Sequence, residues 1–263
     1  MSPGSALLRR EAATALLASK SSLQPGAALV RKPDLARLER SEKDFARLFS
    51  ALPAHAAHEI GPAAPGDGIA AAGFAACLAC LWSSGPVVWA REAGIGAEEG
   101  ALYPPGLLQN GLDPARVIVI DAKRRQDALW ATEEALKIKG AIAICEIGPR
   151  GSPLELAPSR RLALSAAEHR STALIVPHLR GGAPSAAWSR WRIASAPSSA
   201  PNRELGSPCF SADLIRLRNA IGERRWLLEW NADARRLTDC TLGRDLVAEF
   251  GDRPADPRAR RAG

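Results

Sequence analysis

The sequence predicts an α/β domain built on a mostly parallel sheet, and three observations predict it. Four short runs, Pro86–Ala90, Arg116–Asp121, Ala141–Glu146 and Thr172–Val176, are apolar at successive positions rather than at alternate ones. Strands of that kind are buried on both faces, as in parallel sheets covered by helices. These runs alternate with segments of helix length, the order that builds βαβ units. After about residue 190 the alternation stops, and strand candidates separated by turns take over, which predicts an antiparallel extension of the sheet.

Taken in order, residues 5–20 (SALLRREAATALLASK) read as a short amphipathic helix, followed by a loop at Gln24-Pro25-Gly26. Residues 34–50 place Leu35, Leu38, Phe45, Leu48 and Phe49 at largely helical spacing, with Asp34 after Pro33 at the start. Such a segment is expected to dock on a core or on a partner. Ala57–Ile60 is a short strand candidate leading into a glycine loop. Residues 69–82 (IAAAGFAACLACLW) are apolar nearly all round and predict a buried helix. Residues 91–106 read as loop, Leu107–Asn110 as a helical turn, and Gln126–Lys139 and residues 158–169 as helices. Arg190–Ser195, Asp213–Arg218 and Trp226–Trp230 are the strand candidates of the extension, with Asn219–Arg225 as a hairpin loop. The last residues, GDRPADPRARRAG, have almost nothing to bury and predict disorder. The expected division is an N-terminal helical segment and linker (1–52), a core domain (53–244) and an Arg-rich tail (245–263).

At 263 residues the chain can bury a sizeable core, and 46% hydrophobic with 24% charged residues is ordinary for a globular protein. Seven Trp stand out, four of them after residue 187. The absence of any run of about 18 apolar residues argues against a membrane span. The first residues show no compact apolar stretch with a cleavage site, so a cytoplasmic protein is expected, nucleoid-associated if it acts on damaged DNA. Five cysteines suit a reducing compartment rather than a disulfide framework. Cys77 and Cys80 form C-x-x-C on the Ala-rich helix without a second ligand pair, and read as small packing residues. No metal site is expected. The net charge of +7 is uneven: residues 1–146 balance 16 basic against 16 acidic groups, while residues 147–263 hold 19 Arg against 12 acids. A basic half can attract nucleic acid or an acidic partner, or serve only as a solvated surface.

Residues 58–71 read HEIGPAAPGDGIAA. Gly61 and Gly66 have the glycine spacing of a phosphate-binding loop, G-x-x-x-x-G-K-[ST]. A working loop needs backbone N–H groups around the phosphates, a Lys for their charge and a hydroxyl for Mg²⁺. Here Asp67 and Gly68 stand where the Lys and the hydroxyl should be, and Pro62 and Pro65 each remove an N–H. Replacing a cation by an anion at ~4 Å from a phosphate charge swings the interaction by on the order of 8 kcal/mol before screening, at an effective dielectric of about 20. The loop reads as degenerate, with Asp67 expected to cap the following helix, and no nucleotide cofactor is expected.

Strand, glycine loop, buried helix, then alternating strands and helices with an antiparallel end is the order of the RecA-like ATPase core, which the chain resembles. Residues 102–136 (LYPPGLLQNGLDPARVIVIDAKRRQDALWATEEAL), 154–176, 184–198 and Leu227–Trp230 narrow this further: they resemble the ImuA family of the bacterial damage-induced mutagenesis cassette. The similarity runs from about residue 34 to about 240. It implies a role in translesion DNA synthesis beside ImuB, a Y-family polymerase relative regarded as inactive. It also implies contact with RecA and, indirectly, with an error-prone replicative-type polymerase subunit. Within a RecA-like core, Glu92 would take the place of a water-activating glutamate and Glu146 that of a metal-coordinating Walker B acid. Without the loop Lys, both are expected to be vestigial.

Two histidines beside Glu59, His55 and His58, lack further metal ligands, and His169 and His178 lack a nucleophile motif. Trp188, Arg190, Trp191 and Arg192 mix aromatic rings with cations; they either stack on single-stranded bases or alternate along a strand, Trp packed and Arg solvated. With Arg258, Arg260 and Arg261 of the tail they are the candidate DNA or partner contacts. The leading expectation is a non-catalytic adaptor. The alternatives are a divergent ATPase, an Arg-rich DNA-binding module, and an SOS cell-division inhibitor of the same superfamily.

Overall fold

Along the chain the elements run α1 (Glu42–Ala51), β1 (Ala57–Pro62), α2 (Gly68–Trp82), β2 (Val87–Glu92), α3 (Ile95–Glu99), α4 (Pro104–Gln109) and a 3₁₀ turn (Pro114–Arg116). They continue with β3 (Val117–Ala122), α5 (Arg125–Leu136), β4 (Ile142–Ile147), α6 (Leu156–His169) and β5 (Thr172–Pro177), and end with β6 (Ser189–Ala196), β7 (Cys209–Leu217), β8 (Arg224–Asn231) and β9 (Arg236–Asp239). The computed structural model describes residues 42–148, 154–178, 184–198, 206–218 and 224–240. All lie in the unit Leu35–Gly263. The expected helix over 5–20 and the expected tail fall outside the described residues.

The strands pair into one sheet in the order β3-β2-β4-β5-β1-β6-β7-β8-β9. From β3 to β6 every pairing is parallel; from β6 to β9 every pairing is antiparallel. The fold is therefore α/β, with a mostly parallel sheet and an antiparallel extension. Two details differ from expectation. The segment around Arg190–Ser195 belongs to the parallel part, pairing with β1 from His58↔Ser189 to Pro62↔Ile193, so the antiparallel part begins one strand later. β1 also runs on through Gly61 and Pro62. Pro is tolerated there because β1 pairs with β5 only as far as Glu59, leaving one side of the strand end without a ladder.

The apolar runs do what two-faced burial requires. All six residues of β4 are buried, as are the first five of β2 and of β5. On one face α2 packs Ala71, Phe74, Ala75 and Leu78 against Trp89, Ile144, Leu174 and Ile193. On the other, α5 and α6 bring Ala135, Leu136, Leu162 and Ala166 against Val88, Ala143, Cys145 and Ile175. β3 forms one edge, and its Ile118 and Val119 are exposed. The late tryptophans are core residues: Trp191, Trp226 and Trp230 are buried. Ring contacts run from Phe210 through Phe74, Trp191, Trp226, Phe45, Phe49 and Trp82 to His58, each with centroids 4.7 to 6.0 Å apart. α1 is thereby docked on the core through Phe45 and Phe49. No helix among the described residues is long and apolar enough to cross a membrane.

Candidate functional site

The glycine loop bridges the C-terminal end of β1 and the N-terminus of α2, where helix dipole and free N–H groups ordinarily make an anion site. Three of its donors are engaged within the protein. Pro62 and Pro65 have none. The Ala63 N–H donates to the Ile193 carbonyl on β6 at 2.8 Å, and the Ala64 N–H donates to Asp67 Oδ2 at 2.9 Å. The Asp67 N–H donates to the Ala64 carbonyl at 3.1 Å. Gly66 turns the chain with φ of +95°, a conformation that favours glycine. Asp67 stands at the N-cap position of α2, yet its carboxylate makes no hydrogen bond to the helix. It folds back on the loop instead, and its Oδ1 also accepts from the Ser195 N–H of β6 at 3.4 Å. The expected helix cap is thus a loop clasp, with the Ala64 and Ser195 N–H groups as its donors.

Gly68, the position of the missing hydroxyl, is filled from the other side. A Cβ built there would come under 3.0 Å from Nδ1 of His178 and to 2.7 Å from Oε1 of Glu99. His178 follows β5 and Glu99 ends α3; their side chains approach to 3.4 Å, and the imidazole is 4% exposed. The corner where a loop hydroxyl would hold a metal is occupied by an imidazole and a carboxylate of the chain itself. No nucleophile motif surrounds His178 in the sequence, and only the fold brings it to the loop.

Glu92 and Glu146 lie on neighbouring strands but on opposite faces of the sheet. β2 and β4 are in register with Arg91 beside Glu146, and successive strand residues point to opposite sides. Glu146, on the α2 face, accepts from Arg91 Nε at 2.7 Å, with the two side chains 2% and 6% exposed. Arg91 Nη2 also donates to the Gly100 carbonyl. Glu92, on the α5 face, pairs with Arg125 Nε at 3.1 Å and accepts from the Gly148 N–H at 2.9 Å. This alternation sends the two acids to different faces, and each carboxylate already holds a cation of the protein.

Beside α2 opens a cavity of about 530 Å³ at the C-terminal edge of the sheet. Its α2 wall is small-residue surface, Ala70, Gly73 and Ala76; Arg91, Glu146 and His178 stand on the sheet side, and Tyr103 and Leu107 close a third side. That third wall comes from the LYPPGLLQNGLDPAR segment. α4 ends at Asn110, Gly111 takes a φ of +82°, and Leu112 is then fully buried. The Trp230 indole N–H donates to the Asn110 carbonyl, tying the wall to the antiparallel extension. The glycine loop contributes Gly66 alone of residues 61–68 to this cavity.

The aromatic and arginine cluster of β6 divides as strand alternation demands. Trp191 is in the core and its indole donates to Ser189 Oγ, so its face is closed to a nucleobase. Arg190 pairs with Glu59 at 3.0 Å. Arg192 is exposed, and half-buried Trp188 carries the Arg218 guanidinium 5.2 Å over its ring. Arg258, Arg260 and Arg261 lie outside the described residues. Cys77 and Cys80 are buried in α2, where burial raises both thiols above their ordinary pKa, in keeping with a packing role.

No family model matches the chain. Two curated proteins, each named Protein ImuA and both from Caulobacter vibrioides (strains NA1000 / CB15N and ATCC 19089 / CIP 103742 / CB 15), are 37% identical to it over 147 residues. The match covers 51% of this chain and 56% of each relative, so the chain spans about half the length of the curated relatives it matches. With the motif order that resembles the same family, this similarity supports the membership of the chain in the ImuA family.

Proposed function

We propose that the chain is a non-catalytic, RecA-like accessory protein of damage-induced, error-prone translesion DNA synthesis. It acts as an adaptor for an inactive Y-family polymerase partner of the ImuB kind and for RecA. The observation that carries the non-catalytic part is the state of residues 62–68: the prolines have no donor, the next two amides donate internally, Asp67 supplies negative charge, and His178 with Glu99 fills the space at Gly68. A triphosphate there would meet an N–H cradle without residues 62–65, no loop cation and a carboxylate. The pairing of Arg91 with Glu146 and of Arg125 with Glu92 supports the same reading, since neither acid is left to coordinate Mg²⁺ or activate water. The strand and helix order around the loop supports a RecA-like core, and the similarity to the ImuA proteins supports the cellular process. ATP hydrolysis thus has no place in this reading; what the fold offers partners is shape.

Calorimetric titration of the full chain with ATP and Mg²⁺ tests it. No heat up to millimolar nucleotide is expected. Micromolar binding would overturn the non-catalytic reading in favour of a divergent ATPase using the cavity beside α2. Co-purification with an ImuB-type protein and with RecA tests the adaptor half, and failure to retain either refutes it. DNA binding whose affinity falls steeply with salt would favour the DNA-binding alternative.

A further inference from the structure

We propose that Cys209, Glu229 and Cys240 form a three-ligand site for a thiophilic divalent cation of the zinc type. The site lies in the antiparallel extension and is independent of the glycine loop. One ligand atom from each of the three residues falls within 4.8 Å of the other two, and the Sγ atoms of Cys209 and Cys240 are 3.5 Å apart.

β8 places all three. Cys209 on β7 is the register partner of Glu229 on β8, so their side chains share a face. On the other side of β8, the Cys240 N–H donates to the Leu227 carbonyl at 2.9 Å, two residues before Glu229. The ligands therefore come from three chain segments held by two backbone ladders rather than from a flexible loop. Nothing in the sequence announces them, because the two cysteines are 31 residues apart with the whole of β8 between them.

The separation of the sulfurs discriminates between uses of a cysteine pair. A disulfide requires about 2.05 Å between sulfurs. Two thiolates on one tetrahedral Zn²⁺, each at about 2.3 Å, stand about 3.8 Å apart. The observed 3.5 Å is close to the tetrahedral edge. Two thiolates with one carboxylate suit a borderline-soft ion, and three protein ligands leave a fourth position for water. Cys209 is buried while Glu229 and Cys240 are half-buried, which gives an ion a way in. Free thiols are ordinarily protonated near neutral pH. Binding then replaces two thiol protons by one divalent cation, and both protons leave to solvent. The other described cysteines offer no such set: Cys77 and Cys80 lie three residues apart on α2 without a third ligand, and Cys145 packs on the sheet face away from α2.

The test is titration of the reduced, metal-free full chain with Co²⁺ and displacement by Zn²⁺. One equivalent of Co²⁺ with a near-ultraviolet thiolate-to-cobalt band, and release of two protons per ion in weak buffer, are expected. Cys240→Ser should halve the band and weaken binding by more than the roughly tenfold to hundredfold that loss of a supporting partner costs. Glu229→Gln keeps both thiols and should retain the band with weaker binding, which separates a lost ligand from a lost fold. Absence of the band, or a band that persists in Cys240→Ser and vanishes in Cys80→Ser, overturns the proposal.

Discussion

His178 presses on Gly68: its Nδ1 occupies the space that the first carbon of any side chain at that position would need. A glycine at the start of a helix is ordinarily a place where Ala stabilises. Here Gly68→Ala is expected to destabilise by about 1–3 kcal/mol, the range for overpacking a filled site, read as a lower midpoint in urea unfolding. A rise in midpoint would show that the imidazole moves away freely. The double change Asp67→Lys with Gly68→Thr, which would recreate the phosphate-loop sequence, is expected to give no robust ATP hydrolysis, because Pro62 and Pro65 still lack donors and His178 still fills the metal corner.

The two acids at the sheet edge should respond unequally to removal. Glu146→Ala leaves the Arg91 guanidinium buried without its counter-charge, and a loss of about 3–5 kcal/mol is expected. Glu92→Ala removes the acceptor of the Gly148 N–H and of the more accessible Arg125 Nε, while Arg125 Nη2 keeps the Gly148 carbonyl, and about 1–3 kcal/mol is expected. Equilibrium denaturation of the two variants, compared at the same pH, measures the difference. Equal losses would contradict the deeper burial of the Arg91–Glu146 pair.

His58 makes stability depend on mildly acidic pH. Burial lowers its pKa from 6.5 to about 4, against the smaller opposing effect of the Pro53 carbonyl. Its ring joins Ser189 Oγ on one side and the Pro53 carbonyl on the other and lies on Trp82. Because the folded pKa lies below the unfolded one, the unfolded chain binds more protons between pH 6.5 and 4. The contribution is fully present above about pH 6.5 and is lost as pH falls towards 4, by about 3 kcal/mol over the window. Urea midpoints measured from pH 7 to 4 should fall accordingly, and His58→Gln should flatten that slope.

Phe45 joins α1 to the far end of the sheet through its edge-on contact with Trp226, at 5.6 Å between centroids. Phe45→Ala should cost about 3–5 kcal/mol and alter the near-ultraviolet circular dichroism of the buried tryptophans. A neutral substitution would mean that α1 rides on the surface without holding the core.

Much of the sheet was legible because burial on both faces writes itself into the sequence as unbroken apolar runs, as in Ile142–Cys145. β9 escaped notice because Arg236–Asp239 carries one apolar residue, Leu237, in four. The placement of β6 was hidden for a different reason: whether a strand pairs parallel or antiparallel depends on a neighbour far away in the chain. The departure from the phosphate-loop pattern was readable in Asp67 and Gly68, but the filling of the space behind Gly68 was not. His178 and Glu99 are separated from Gly68 by 110 and 31 residues, and no local pattern couples them. The opposite facing of Glu92 and Glu146 needed the register of β2 against β4, which a single sequence does not carry.

The central position of β1 sets the order of events as the chain emerges from the ribosome. Its register partners are 116 residues downstream on β5 and 131 downstream on β6, as Glu59↔Ile175 and Glu59↔Arg190 illustrate. At the usual ~5–20 residues per second of synthesis, the first strand waits on the order of ten seconds for both neighbours. During that wait the apolar helix behind it has no sheet to cover, so nascent-chain chaperones should recognise residues 69–82 before any other segment.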